Sequence, residues 1–151
     1  MKRTAALIIA LCLLLPCVAE GLSLSDFAWN YSLYAGMFGV PEISASDASV
    51  VDEGERYHFT LPGGMDVLVR SDMRGGSCIA PEENSDAFVR TCAALFFTVH
   101  GTDGIIDFLG TLLFNLLFID HAAPASETVG NAVYKLTSSD GLLVFSFALI
   151  R

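Results

Sequence analysis

Aromatic residues recur every three or four positions near residue 30, which is the spacing of one face of a helix. The stripe consists of Phe27, Tyr31, Tyr34 and Phe38. Ser25 is a suitable N-cap, and Gly39 would end the helix. Trp29 falls off the stripe, so we predict an N-terminal helix whose tryptophan is exposed.

The period then changes to two, which is typical of strands that bury one face. The strands predicted in this way are 57–61, 65–70 and 77–80, with 50–51 as a candidate short edge strand. Pro62-Gly63-Gly64 separates the first two strands, and residues 72–76 are interpreted as a second turn. An antiparallel meander with one dry face is the expected result.

Residues 85–120 concentrate the hydrophobic residues of the chain in two segments separated at Gly101–Gly104. The first segment predicts a helix capped by Asn84 or Ser85. Its apolar stripe consists of Phe88, Cys92, Leu95, Phe96 and Val99. Phe97 falls on the opposite side, so we expect it to be exposed unless another element covers it.

The second segment, 105–119, is apolar over most of its circumference. Its length of about 15 residues corresponds to roughly 22 Å of helix, whereas a bilayer core is about 30 Å thick. We therefore predict no stable membrane span in the mature chain and a helix that must be covered on several sides. Excess apolar surface often marks an interface. The predicted ligand or partner surface consists of Trp29, Phe97, Asp107, Thr111, Phe114, Asn115 and Phe118.

The chain ends in a predicted hairpin, in which 133–137 pairs with 142–150 across Asp140-Gly141. Residues 120–130 are interpreted as a loop. The last strand is apolar on both faces, which is typical of a strand in the middle of a sheet. The predicted fold class is α+β: an antiparallel sheet of four or five strands, with an N-terminal helix and a central helix pair packed on one face.

The first 19 residues have the pattern of a signal peptide. Two basic residues precede an apolar run of about a dozen residues, and small residues follow at 17–19. We predict cleavage after Ala19, which leaves residues 20–151 as a single α+β domain. The mature chain is then expected to be exported: secreted, periplasmic or associated with the cell envelope.

Charge limits the partners of the predicted mature chain. The whole sequence carries eight basic and 17 acidic residues, and the signal peptide contains two basic residues, Lys2 and Arg3, and no acid. Six basic residues therefore remain against 17 acids. Such a surface repels nucleic acid and anionic membranes.

Two cysteines, Cys78 and Cys92, remain after the predicted cleavage. An even pair in an oxidising compartment predicts a disulfide. Closing a loop of about 15 residues would contribute about 3 kcal/mol. The alternative is two buried free thiols, because both cysteines have apolar neighbours.

Candidate chemistry is sparse. The three histidines are His58, His100 and His121, and none lies in a metal-binding or nucleophile motif. We expect no metal and no cofactor, and an enzyme is not favoured. The predicted function is an exported, non-catalytic module that binds a protein or an apolar ligand or associates with itself. The alternative is a small secreted hydrolase or metal-dependent enzyme that uses His100 or His121 with a nearby aspartate.

Overall fold

A computed structural model describes residues 22–100 and 125–150 of the chain. The predicted signal peptide, 1–19, lies outside the described residues. So does the second central segment, 105–119, with its polar stripe and its two phenylalanines.

Two α-helices and seven strands form in the described residues. The helices are α1 (Leu24–Phe38) and α2 (Ser85–His100). The strands are β1 (Ser49–Val51), β2 (Arg56–Leu61), β3 (Met65–Arg70), β4 (Gly75–Pro81), β5 (Ala125–Val129), β6 (Ala132–Ser139) and β7 (Leu142–Leu149). Short 3₁₀ turns occupy Ala45–Asp47, Asp52–Gly54 and Glu82–Asn84.

All seven strands of the described residues form one antiparallel sheet in the order β1-β2-β3-β4-β7-β6-β5. The predicted class, α+β with an antiparallel sheet, is confirmed, but the predicted count of four or five strands is wrong. One of the missing strands is β5, which was interpreted as loop. Its sequence, ASETV, has no hydrophobic alternation, because an edge strand needs less burial than a central one.

The terminal hairpin forms as the Asp-Gly signal predicts. Asp140 and Gly141 both have positive φ, at 54° and 76°, which suits the turn of a two-residue hairpin. Strand β7 lies between β6 and β4, so the last strand is an interior one.

Gly75 and Gly76 begin β4, although their sequence predicts a turn over residues 72–76. A Cβ at Gly76 would lie 2.6 Å from the carbonyl oxygen of Leu68 and 2.9 Å from ring atoms of Phe147. Glycine is therefore required at this strand position by the close approach of the neighbouring strands.

Helix α1 begins two residues earlier than the sequence suggested. Ser23, not Ser25, is the N-cap, and it forms a reciprocal capping box with Asp26. Hydrogen bonds from the Ser23 side chain and backbone lower the pKa of Asp26. The helix ends at Gly39, whose φ of 65° is left-handed.

The core lies between one face of the sheet and the two helices. We call this face the inner face; it includes Phe59, Val67, Cys78, Phe145 and Tyr134. Helix α2 is adjacent to β4 and β7, and α1 packs on α2. The apolar stripe predicted on α2 is buried, as expected.

Phe97 is not exposed, because α1 covers the far side of α2. Phe97 is 6% exposed. Its ring stacks on Tyr34 at 5.5 Å and on Phe38 at 5.3 Å between ring centroids. Phe97 is therefore part of the core between the helices and is not available to a partner.

The predicted disulfide is also absent: Cys78 and Cys92 are free thiols. Both are fully buried, Cys78 on the inner face of β4 and Cys92 on α2. Burial raises the pKa of the Cys92 thiol, and a hydrogen bond with Cys78 raises it further. The short connection between β4 and α2 makes the two cysteines neighbours across the contact between helix and sheet. Their sulfur atoms are not at bonding distance.

Candidate functional site

The opposite face of the sheet, which we call the outer face, is open within the described residues. No side chain on this face of strands β2 to β7 is fully buried; those of the central strands are half-buried or exposed. Both described helices lie on the inner side. The outer face is thus the surface where a ligand can reach the sheet.

Small residues form the middle of the outer face. Gly75 of β4 pairs directly with Ala148 of β7, and Ser77 pairs with Ser146. Because these side chains are small, the sheet has a shallow depression there, with a volume of about 650 Å³. We call it the outer-face depression. Its lining includes Arg56, Leu68, Arg70, Gly75, Gly76, Ser77, Ser146 and Ala148, with Glu55 and Asp72 at the margin.

Two arginines border this depression. Arg56 of β2 and Arg70 of β3 are direct cross-strand partners, so both side chains lie on the outer face. Nε of Arg56 lies 2.5 Å from Oδ2 of Asp52. Nη2 of Arg70 donates to Oδ2 of Asp72 at 2.6 Å. Like charges opposite each other destabilise a sheet, and these two carboxylates offset the repulsion.

The two acids lie on turns with unusual backbone conformations. Asp52 and Glu53 have φ values of 51° and 57°, and Met73 beside Asp72 has a φ of 56°. Non-glycine residues rarely adopt such values, and they concentrate at functional sites. Three of the four positive-φ non-glycine residues among the described residues thus lie on the two turns whose carboxylates pair with the arginines.

Asp72 is anchored independently of Arg70. The backbone N–H of Arg74 donates to its Oδ1 at 3.0 Å. This hydrogen bond is the largest influence that lowers the pKa of Asp72, and the charge of Arg70 adds to it. The carboxylate therefore stays ionised and in place whether or not it contacts the arginine.

A histidine–aspartate pair lies beside the depression on the same face. Nε2 of His58 is 2.7 Å from Oδ1 of Asp66, and Thr60 donates to the same oxygen at 3.4 Å. Within the described residues no serine or cysteine bonds to the His58 ring, so the pair has no nucleophile. No group of three His, Cys, Asp or Glu side chains there could hold a metal ion.

The structure does not bring the sequence-predicted surface together. Trp29 is exposed as predicted, at 61%, but it lies on α1, on the inner side of the sheet. Phe97 is buried. The other five residues, Asp107, Thr111, Phe114, Asn115 and Phe118, lie outside the described residues, as does His121. Helix α2 ends at His100, and its side chain is also outside the described part.

Sequence reasoning missed the arginine pair, although a signal for it was present. Leu61 pairs with Met65 across the predicted Pro62–Gly64 turn, and that register places Arg56 opposite Arg70. The floor of the depression had no such signal, because β4 and β7 are about 70 residues apart in the chain.

Comparisons with protein-family models, with curated proteins and with solved structures find no significant match to this chain. In the described residues, no helix is both long enough and apolar enough to cross a bilayer. The outer-face depression is therefore proposed as the candidate site from its own geometry and lining residues, without support from a relative.

Proposed function

We propose that this chain is an exported, non-catalytic binding module that holds a small polar ligand in the outer-face depression. The observation that supports the proposal most directly is the depression itself, which lies where two central strands carry glycine, serine and alanine on an uncovered face. Its volume of about 650 Å³ lies in the range typical of small-molecule sites.

The lining favours a polar ligand over the apolar one expected from the sequence. Two guanidinium groups and the hydroxyls of Ser77 and Ser146 face the depression, and Leu68 is the main apolar side chain on its wall. Such groups orient a ligand through hydrogen bonds. The aromatic side chains of β6 and β7 lie on the inner face, where they are used in the core, whereas the outer face carries smaller apolar patches such as Leu68, Ile79 and Val144.

Binding, not catalysis, is what these groups support. Arginine does not lose its proton near neutral pH and so cannot act as a general base. The nearest histidine, His58, is held by Asp66. A catalytic site would need an activated nucleophile or a metal in addition, and among the described residues no histidine bonds to the serine hydroxyls of the lining and no group of side chains could hold a metal ion.

The test is ligand retention by the exported protein. The chain would be purified under native conditions, denatured, and the released small molecules identified by mass spectrometry. The matched control is Ala148→Trp, which places an indole in the depression. Ala148 is exposed, so this change should alter the free energy of unfolding by less than about 0.5 kcal/mol.

A small molecule that is released from the wild type and missing from Ala148→Trp is the expected result. Equal release from both proteins, or none from the wild type, would contradict binding in the depression. Export has a separate check, since the mass of the exported chain should correspond to a protein that begins at Glu20.

A further inference from the structure

We infer that the ligand of the outer-face depression carries a carboxylate, seated between Arg56 and Arg70, and hydroxyl groups that reach Ser77 and Ser146. This inference rests on the proposed function and adds the chemical class of the ligand: a small hydroxylated carboxylate.

The arginine pair supplies the site for the carboxylate. Each guanidinium has five N–H donors in a planar fork that matches the two oxygens of a carboxylate. Arg56 uses Nε toward Asp52, and Arg70 uses Nη2 toward Asp72. In the part of the chain that the structure describes, the other N–H groups of both guanidiniums have no partner, so they are free to bind a ligand.

The two paired acids, Asp52 and Asp72, do not block this site, although with Glu55 they place three carboxylates around the two arginines, so the ligand must be held by hydrogen bonds and not by net charge. Both ion pairs are exposed, with side-chain exposures between 41% and 58%. Exposed pairs of this kind contribute only about 0–1 kcal/mol. Asp72 also keeps its hydrogen bond from Arg74 when Arg70 turns away. A ligand carboxylate can therefore share or replace these contacts at little cost.

The serine pair supplies the second half of the recognition. Ser77 and Ser146 are direct cross-strand partners, two residues along their strands from Gly75 and Ala148. The serine pair lies two residues, about 7 Å, along the strands from the row of the two arginines, and the arginine pair on β2 and β3 lies two strands, about 10 Å, to the side of the serine pair on β4 and β7. Neither hydroxyl forms a hydrogen bond with another described residue. Their free donors and acceptors match the hydroxyl groups of a ligand whose carboxylate is met part-way by the long arginine side chains.

The probe is D-gluconate, which combines one carboxylate with a polyhydroxylated chain. Binding would be followed by the backbone amide NMR shifts of Gly75, Gly76 and Ser77 during titration of the full exported chain. Glucose tests the need for the carboxylate, and inorganic phosphate tests the alternative oxyanion. The variant is the double change Arg56→Ala and Arg70→Ala, with Arg90→Ala on α2 as the matched control.

We expect saturable shifts with gluconate and none with glucose. The double variant should weaken binding by about tenfold or more, because charge-assisted hydrogen bonds are lost. Arg90→Ala should bind as the wild type does. The inference would be overturned by glucose binding as tightly as gluconate, by phosphate binding more tightly than gluconate, by an unchanged Kd in the double variant, or by no saturable shift with gluconate.

These outcomes are separable from failure of the proposed function. A neutral ligand that is released from the wild type but not from Ala148→Trp would keep the binding function and overturn the carboxylate class. Absence of any such ligand, together with no gluconate binding, would remove both.

Discussion

The two faces of the sheet differ in what their side chains do, although they belong to the same strands. On β7, Phe145 is 1% exposed and packs against Tyr134 at 5.7 Å between ring centroids. Its neighbour Val144 points to the outer face and is only half-buried. Large rings thus fill the inner face, whereas leucine, valine, serine and alanine occupy the outer face of the same strand.

This difference separates stability from binding. The inner face is closed by α2, and α1 covers α2 in turn, so its side chains stabilise the fold. The side chains of the outer face are half-buried or exposed, so its small and charged residues do not fill a core. Their identity can therefore reflect a ligand, and substitutions there can test function without unfolding the protein.

The first prediction tests whether the two faces of β7 contribute differently to stability. It truncates neighbouring residues, one on each face. Phe145→Ala should lower the free energy of unfolding by about 3–5 kcal/mol, because it leaves a cavity in the core. Val144→Ala, on the outer face, should lower it by less than about 1 kcal/mol. Urea unfolding monitored by circular dichroism measures both.

Similar losses for Phe145→Ala and Val144→Ala would mean that the outer face is also covered. In that case the depression would be part of a second core, and its role as a ligand site would have to be abandoned.

The second prediction concerns the contact between the helices. Phe97→Ala should lower the free energy of unfolding by about 3 kcal/mol, because the ring is buried against Tyr34 and Phe38. Trp29→Ala is the control, since Trp29 is exposed on α1, and it should change stability by less than about 1 kcal/mol. The same urea titrations apply. If Trp29→Ala lowers the free energy of unfolding more than Phe97→Ala does, the buried side of α1 is not the side that carries Tyr34 and Phe38.

Local periodicity predicted much of the inner layer. The 3.6-residue spacing on α1 and α2 identified the residues that are buried there, and the Asp-Gly turn identified the last hairpin. These patterns are local, because each depends on the side-chain directions of one element or one turn. Phe97 was missed because periodicity marks the side that meets the sheet and says nothing about a second helix on the far side.

The outer face was harder to predict because it depends on contacts between elements that are far apart in the chain. The depression depends on the pairing of β4 with β7, and no pattern within either strand reveals its partner. Gly75 and Gly76 also misled, since two adjacent glycines are more typical of a turn than of a strand. Their close contacts with the neighbouring strands explain them, and the contact with Phe147 joins residues about 70 positions apart.

The third prediction tests whether the close approach of the neighbouring strands requires glycine at position 76. Gly76→Ala should lower the free energy of unfolding by about 1–3 kcal/mol, because the new Cβ would press against the Leu68 carbonyl and the Phe147 ring. Gly36→Ala is the matched control on α1. A Cβ there meets nothing within 4 Å, so it should raise stability by about 0.5–1 kcal/mol. Opposite signs for the two changes are the expected outcome, measured by thermal and urea unfolding.

The smallest expected effect concerns the acid beside the depression. The folded-state pKa of Asp72 is lowered from 3.8, first by the hydrogen bond from Arg74 and then by Arg70. A lowered pKa means that the ionised form stabilises the fold above pH 3.8 and that this contribution is lost as the pH falls through the folded-state pKa. Asp72→Ala should therefore lower stability at neutral pH by about 0.2–1 kcal/mol, a small value because solvent screens this exposed carboxylate.

The pH dependence of this loss distinguishes an electrostatic role from a packing role. The difference in unfolding free energy between wild type and Asp72→Ala should shrink in acid, because the wild-type carboxyl is then protonated as well. Ser71→Ala is the control, since its side chain does not titrate and its effect should stay constant with pH. A constant difference for Asp72→Ala would show that the carboxylate acts through packing. The ion pair of Asp72 with Arg70 would then contribute nothing to stability.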